Sequence, residues 1–410
     1  MKVLFLVHQF YPEYYTGTEK FVFKMASMAQ RTGHSVRVAT YGFGLDPFCD
    51  NKRGNILWKN YTYKGIPVTA LKHNSLPETR DITLSDEGIS SIAEYIFSRE
   101  KPDVIHAGHL MRMQGFINVA RRLNIPYLLT LTDFWIICPR VTLINSRGDI
   151  CKGPGEKGSC PASCPELPRE FMASRFEEAF SILSDARKVV SPSFFLGSFF
   201  KKIMEPLDVT IINHGMSYAS IRKNTKRYEK GSPVVFCYAG SLNRHKGIHV
   251  LIQAFKTLPS AKITLKIYGS GPDTVYIDKL YKMAESDSRI EFCGVYSEEG
   301  SGDIFTAIDV AVVPSLWYEN YPLVLHEALA CSVPVVASNI GGMAEKIRNG
   351  VNGFTFPVGD AEGLAEVLGR IADNPEILNA LKENMKGFIL PSIEQEALAY
   401  QVLYEGMKST

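Results

Sequence analysis

Two glutamates, Glu319 and Glu327, lie within one short stretch, Pro314–Glu327, that reads PSLWYENYPLVLHE. Carboxylates accept hydrogen bonds from hydroxyls, so such a pair suits a ligand with hydroxyls at both ends. The β-branched run Val310–Val313 before it predicts a buried parallel strand ending at Pro314. Asn320 is a good N-cap, Pro322 fits a first helical turn, and Leu323–Cys331 has helical spacing. Glu319 is then expected just before a helix and Glu327 about two turns inside it, roughly 10 Å apart. The helix N-terminus between them suits a phosphate. One carboxylate would read hydroxyls at one end of a diphosphate ligand, and the other a ribose at the opposite end. The plainer alternative is two solvated glutamates on an amphipathic helix.

Other residues of the right chemistry follow predicted strands. Val234–Ala239 leads into Gly240–Gly247, GSLNRHKG, where Lys246 just before a helix could clamp a diphosphate. Arg244 is the nearest second cation, with Arg222 and Lys223 further off. In the first half, His106 and His109 stand at the end of the strand Asp103–His106, and Asp133 follows the strand Tyr127–Leu131. Open α/β sheets place functional groups at such strand ends. The loop His8–Thr18 contributes Gly17 at a helix entrance but no G-x-G-x-x-G. The chain has no D-x-D pair and no Walker loop, so lysine, arginine and a helix dipole are expected to meet phosphate charge.

The eight cysteines divide into two sets. Cys49, Cys237, Cys293 and Cys331 lie in apolar segments and read as small core residues. Cys138, Cys151, Cys160 and Cys164 crowd into the Pro- and Gly-rich segment Asp133–Pro168. In a reducing compartment they suggest a structural zinc, with an iron–sulfur cluster or free thiols as the other readings.

At 410 residues the chain is too long for one ordinary core. Charged residues at 21% and hydrophobic ones at 45% are those of a globular protein. A formal net charge of +2 offers no electrostatic footprint for nucleic acid. Strand and helix signals alternate along both halves, which predicts α/β architecture with two Rossmann-like domains, their parallel sheets facing each other across a cleft. The expected boundaries are 1–215, with the insertion 133–168, then 216–390, with 391–410 as a helix crossing back to the first domain. Phe194, Phe195, Phe199 and Phe200 beside Lys201 and Lys202 could rest on an anionic membrane, or form core.

With these residues in view, the chain resembles the retaining glycosyltransferases of the GT-B fold, in the large family-four group. The likeness is carried by Glu319 and Glu327, by Gly240–Gly247, and by Pro334–Glu345, PVVASNIGGMAE. The turn Asn352–Phe354 and the loop Gly17–Glu19 add to it. The run Asp133–Pro139, DFWIICP, with the cysteines after it, is similar to a subgroup found in polysaccharide and O-antigen synthesis. The resemblance implies catalytic roles for Glu319, Lys246 and His109, with Glu319 facing the donor sugar and His109 on the acceptor side. It implies that Glu327 binds the ribose and Lys246 the diphosphate. Gly17, Gly240, Arg244, Asn320 and Tyr321 would border the nucleotide-sugar, and Tyr296 would lie near the base. The implied reaction moves a hexose-type sugar from a nucleoside diphosphate to a saccharide or lipid-linked acceptor with retention, without a cofactor or metal at the reaction centre. The expected setting is cytoplasmic, at the inner membrane face by peripheral association, without nucleic acid. Three positions depart from the family pattern: Ser241 replaces an arginine, Thr16 a glycine, and Thr132 a histidine. They keep two rivals in view, a non-catalytic sugar-nucleotide-binding subunit and a GT-B sugar-nucleotide epimerase.

Overall fold

The computed structural model describes residues 1–42, 51–75, 81–155, 160, 164–217, 221–296 and 301–408. The chain divides into unit 1, Met1–Gly215 with Ile393–Thr410, and unit 2, Met216–Ser392. Cys49 lies outside the described residues.

Unit 1 runs β1 (Lys2–Val7), α1 (Gly17–Arg31), β2 (Ser35–Tyr41), β3 (Asn51–Arg53), β4 (Ile56–Tyr63), β5 (Ile66–His73), α2 (Glu87–Glu100), β6 (Val104–Ala107), α3 (Gln114–Arg122), β7 (Tyr127–Thr130), α4 (Arg169–Ser184), β8 (Lys188–Ser191), α5 (Phe194–Ile203) and β9 (Val209–Ile211). Its strand order is β3-β4-β5-β2-β1-β6-β7-β8-β9. Its main run is parallel, as expected, and one edge adds antiparallel pairing: β4 pairs antiparallel with both β3 and β5. Tyr63 and Ile66 pair across a two-residue turn, where Lys64 and Gly65 both take positive φ, 45° and 84°. That turn matches strand twist and closes a hairpin. Only alternate residues of β4 are covered, so its sequence carries no long apolar run.

Unit 2 runs β10 (Val234–Ala239), α6 (Ile248–Lys256), β11 (Ile263–Tyr268), α7 (Thr274–Ala284), β12 (Ile290–Gly294), α8 (Ser301–Ala307), β13 (Val310–Val313), α9 (Leu323–Ala330), β14 (Val335–Ser338), α10 (Gly341–Lys346), β15 (Gly353–Phe356), α11 (Ala361–Asp373) and α12 (Ile377–Asn384). All its sheet pairs are parallel, in the order β12-β11-β10-β13-β14-β15. Residues on β10 point alternately to two cores: Val234, Phe236 and Tyr238 to one, Cys237 and Ala239 to the other. Such two-sided burial is why its strands read as continuous apolar runs.

The last helix, α13 (Ile393–Lys408), belongs to unit 1. Tyr400, Tyr404 and Met407 join the core cluster of β1 and α1. His106 is wholly buried and bonds Tyr404 Oη at 2.7 Å and Thr130 Oγ1 at 2.8 Å. Burial pushes its ring down to about 3, so it is a neutral core residue rather than a ligand group. In α5, Leu196, Gly197 and Phe200 face inward while Phe194 is exposed. Of the aromatic run, Phe200 is core, Phe195 and Phe199 are half-buried and Phe194 is exposed.

Candidate active site

In an open parallel sheet, ligands bind beyond the strand C-termini where the strand order reverses. In unit 2 the chain steps from β10 outward to β11 and β12, then returns to the other side of β10 as β13. The reversal lies between β10 and β13. The segment after β10 supplies Lys246, and the segment after β13 supplies Glu319. Their side chains meet: Lys246 Nζ donates to Glu319 Oε1 at 2.7 Å.

Glu319 is nearly buried, and the same Oε1 also accepts from Ser315 Oγ at 2.7 Å and Trp317 Nε1 at 2.9 Å. Burial pushes its carboxyl up, but the Lys246 charge and these three donors hold it below the ordinary glutamate value. Among the described residues its second oxygen accepts no hydrogen bond, and Lys246 uses one of three N–H donors. An ionised acceptor and a cation with two spare donors thus stand side by side. Lys246 also lies 5.2 Å from the Trp317 ring centre. His245 packs edge-on against that ring, and burial, then the Lys246 charge, pushes it down to about 4. Close backbone approach builds the pair: Gly247 sits at φ 73°, and a Cβ there would fall 1.9 Å from Pro314 O.

The helix after Glu319 begins later than expected. Pro322, with extended ψ of 100°, caps α9, and its carbonyl accepts from Leu325 N–H at 3.1 Å as the first rung. Asn320 is therefore not the N-cap; it is buried two residues upstream. There Gly342 N–H donates to Glu319 O at 2.7 Å, and a Cβ on Gly342 would fall 2.5 Å from Asn320 O. This is the physical reason for the paired glycines at 341 and 342. Tyr321 is buried and stacks on His326 at 3.7 Å. Glu327 is half-buried on α9. Tyr296 meets Tyr268 edge-on at 6.1 Å. Gly240 follows β10 and donates to Tyr268 O at 3.0 Å.

Arg244 does not join Lys246. It pairs with Asp273 at 3.5 Å, lies over Tyr276 and is largely exposed. Ser315, Trp317 and Gly342 are the local residues that sequence reasoning left without a role. Their neighbourhood to Glu319 was the available signal.

Unit 1 repeats the arrangement with different chemistry. Its order reverses between β1 and β6, and His8 and His109 follow those strands with ring centres 4.0 Å apart. His109 Nε2 bonds Asp133 Oδ2 at 2.7 Å, while its Nδ1 accepts Met111 N–H at 3.1 Å. Gly17 is exposed and opens α1. Thr16 N–H and Oγ1 both donate to Glu19 Oε2, at 2.8 and 2.5 Å. Thr16 is thus a helix-capping residue whose hydroxyl adds a bond that a glycine would lack. Thr132 Oγ1 ties β7 to Gly108 O at 3.0 Å.

The cysteine segment has no strand or helix among its described residues, only the isolated bridge Ile144–Ile150 and turns. Cys138, Cys151, Cys160 and Cys164 are free thiols, and burial first, then the neighbouring thiols, pushes Cys138 and Cys160 up. Among the described residues no three His, Cys, Asp or Glu side chains converge to hold a metal ion. A buried arginine ties the start of the segment: Arg175 Nε donates to Ile82 O and Nη1 to Ile136 O, each at 2.7 Å, and Nη2 to Trp135 O.

Residues 220–388 match the family model of glycosyl transferases group 1. N-acetyl-alpha-D-glucosaminyl L-malate synthase of Bacillus anthracis is 25% identical over 42% of this chain and 45% of its own length. The glycogen synthase of Mycobacterium tuberculosis is 31% identical over 41% of each. The matched region thus spans less than half of these relatives. Lipopolysaccharide 1,2-N-acetylglucosaminetransferase of Salmonella typhimurium is 26% identical over 54% of this chain and 62% of its own. In fold, the chain is similar to sucrose-phosphate synthase from Thermosynechococcus elongatus, with TM-score 0.75, 18% identity and coverage of 100% and 99%. It is also similar to Anabaena HepE in complex with UDP and glucose, with TM-score 0.70, 18% identity and full coverage of both chains.

Proposed function

We propose that this chain, which has the GT-B fold and at residues 220–388 a group 1 glycosyl transferase sequence, moves a sugar from a nucleoside diphosphate to a saccharide or lipid-linked acceptor with retention. The observation that carries the reading is the Lys246–Glu319 pair at the unit 2 strand reversal. In this reading the two spare donors of Lys246 hold the diphosphate, helped by the N-terminus of α9. The open oxygen of Glu319 takes a hydroxyl of the donor sugar, and Glu327 takes the ribose. Gly17, Gly240, Asn320, Tyr321 and Tyr296 line the nucleotide-sugar, and Arg244 stays with Asp273.

In the step itself, the bond from the sugar's anomeric carbon to the phosphate oxygen breaks, and the diphosphate keeps the electron pair. A bond from the same carbon to the acceptor oxygen forms on the same face. The acceptor proton passes to a phosphate oxygen. Lys246 stabilises the charge that develops on the leaving group, which is the larger part of such catalysis. No D-x-D pair is present to carry a divalent ion into this step. The lipopolysaccharide relative supports a place in cell-surface polysaccharide synthesis. No helix among the described residues is long and apolar enough to cross a membrane, consistent with work at the cytoplasmic face by peripheral association.

A thermal-shift screen against nucleotide-sugars tests the donor, since a ligand at a hundred times its Kd stabilises by about 2.7 kcal/mol. UDP-glucose is the first to try, because HepE has been seen in complex with it. Stabilisation followed by release of nucleoside diphosphate is the expected result. Stabilisation without release would instead support a non-catalytic sugar-nucleotide-binding subunit. No stabilisation by any nucleotide-sugar would refute the reading.

A further inference from the structure

The group in unit 1 made of His8, His109 and Asp133 has a division of labour that its residue types alone do not show. Both nitrogens of His109 are spent inside the unit. Nδ1 accepts the Met111 N–H, so the ring's proton must sit on Nε2, and Nε2–H donates to Asp133. The His109 side chain is only 2% exposed, against 19% for Asp133. Against His109 stands His8, its side chain 14% exposed, and desolvation, then its neighbours His109 and Arg112, drive its ring well below the usual range. His109 therefore has no ring nitrogen left for a ligand, and the lowered His8 is only a weak base.

Asp133 has the opposite character. Oδ2 takes His109 Nε2–H, and Oδ1 takes Trp135 N–H at 2.8 Å. Each carboxylate oxygen can accept a second hydrogen bond, and the half-buried Asp133, 19% exposed, is the most accessible of the three, ahead of His8 at 14%. Trp135 is itself fixed, its Nε1 donating to Asp81 O at 2.7 Å and its ring lying 5.0 Å from the Arg175 guanidinium. A carboxylate held by two donors from rigid partners is oriented before any ligand arrives.

We propose that Asp133 is the group that receives the acceptor's hydroxyl, and that His109 is a positioning residue acting through it. This rests on the proposed sugar transfer and deepens it: the acceptor offers a hydroxyl as donor to a fixed carboxylate. Asp133 accepts a hydrogen bond and forms no covalent bond, while the proton leaves with the diphosphate.

The test uses the full chain, UDP-glucose as donor, and a panel of octyl glycosides as acceptors. Transfer to a glycoside is measured against hydrolysis of the same donor. Asp133→Asn should lower the ratio of transfer to hydrolysis at least tenfold, with UDP affinity unchanged by calorimetry. His109→Ala should lower kcat for transfer more than it raises the acceptor KM. His109→Gln, which keeps a donor near the Nε2 position, should recover most of that loss. A merely structural histidine would make both variants fall alike with melting temperature. Asp133→Asn with an unchanged ratio would overturn the proposal, as would Gln failing to rescue a stably folded His109 variant. Wild type that hydrolyses donor but glycosylates nothing in the panel would also overturn it. Wild type that does neither would instead refute the sugar-transfer reading itself.

Discussion

Replacing Lys246 with methionine removes the charge but keeps most of the side-chain bulk. Its partner Glu319 is 9% exposed at the side chain and Lys246 is 23% exposed. Breaking a fully buried pair costs about 3–5 kcal/mol, because the remaining charge is stranded. Here Lys246 keeps some contact with solvent, and Ser315 and Trp317 still donate to Glu319. A loss of about 1–3 kcal/mol is the reasoned value. For a unit of this size that lowers the melting temperature by roughly 2–12 °C. The pH dependence has a definite sign. In the wild type Glu319 lies below its ordinary value, so its stabilisation is present at neutral pH and is lost as pH falls through the folded value. In Lys246→Met burial is less opposed and the carboxyl moves up. The deficit relative to wild type should therefore be largest near neutral pH and shrink in acid. Calorimetry of the wild type, Lys246→Met, Glu319→Gln and the double variant closes the cycle, with the double less destabilised than the sum. Strict additivity, or a deficit that does not change with pH, would refute the coupling. In the transfer assay Lys246→Met should be slower by about a hundredfold or more.

Glu327→Ala should weaken UDP binding by roughly fivefold to a hundredfold, the loss of about 1–3 kcal/mol of hydrogen bonding to a ligand hydroxyl; equal calorimetric affinities would remove Glu327 from the site. Gly247→Ala should cost at least about 2 kcal/mol, since its Cβ would fall 1.9 Å from Pro314 O at φ 73°, and a melting temperature equal to wild type would show that the turn yields freely. Arg175→Met strips donors from the carbonyls of Ile82, Trp135 and Ile136. It should destabilise unit 1 by about 3–5 kcal/mol and speed reaction of Cys138 with a thiol reagent, and unchanged thiol kinetics would show that Arg175 does not order the segment.

The α/β architecture was legible because parallel strands buried on both faces appear as unbroken apolar runs, as in Val234–Ala239 and Val310–Val313. The hairpin β4–β5 was not, because only one face of β4 is covered and its sequence alternates with lysine, asparagine and threonine. Lys246 and Glu319 could be picked out by their places after strands. That they bond each other depended on strand order, which local pattern does not carry. Asn320 looked like a cap because side-chain preference favours asparagine there, but the ψ of Pro322 starts the helix two residues later. The four cysteines suggested a metal by spacing alone. Ties that no spacing rule would find also hold the segment: Arg175 on α4 bonds its first turn, and Arg140 and Ser146 both bond Glu166.

The three departures from the family pattern carry different weights once each side chain has a place. Thr16 supplies the cap of α1 and Thr132 a tie to the backbone of Gly108, so both are accounted for by local structure. Ser241 is different, because its carbonyl holds Tyr238 Oη at 2.7 Å but its side chain brings no charge. With Arg244 committed to Asp273, Lys246 is the cation bonded at the Glu319 site among the described residues, and Glu319 already neutralises part of it. In the proposed transfer, a doubly charged leaving group there would lean on the N-terminus of α9, a partial charge of about half a unit. Partial charges of that kind act over short distances, within about the first turn. In that reading the first turn of α9, opened by Pro322, would share the charge with the lysine.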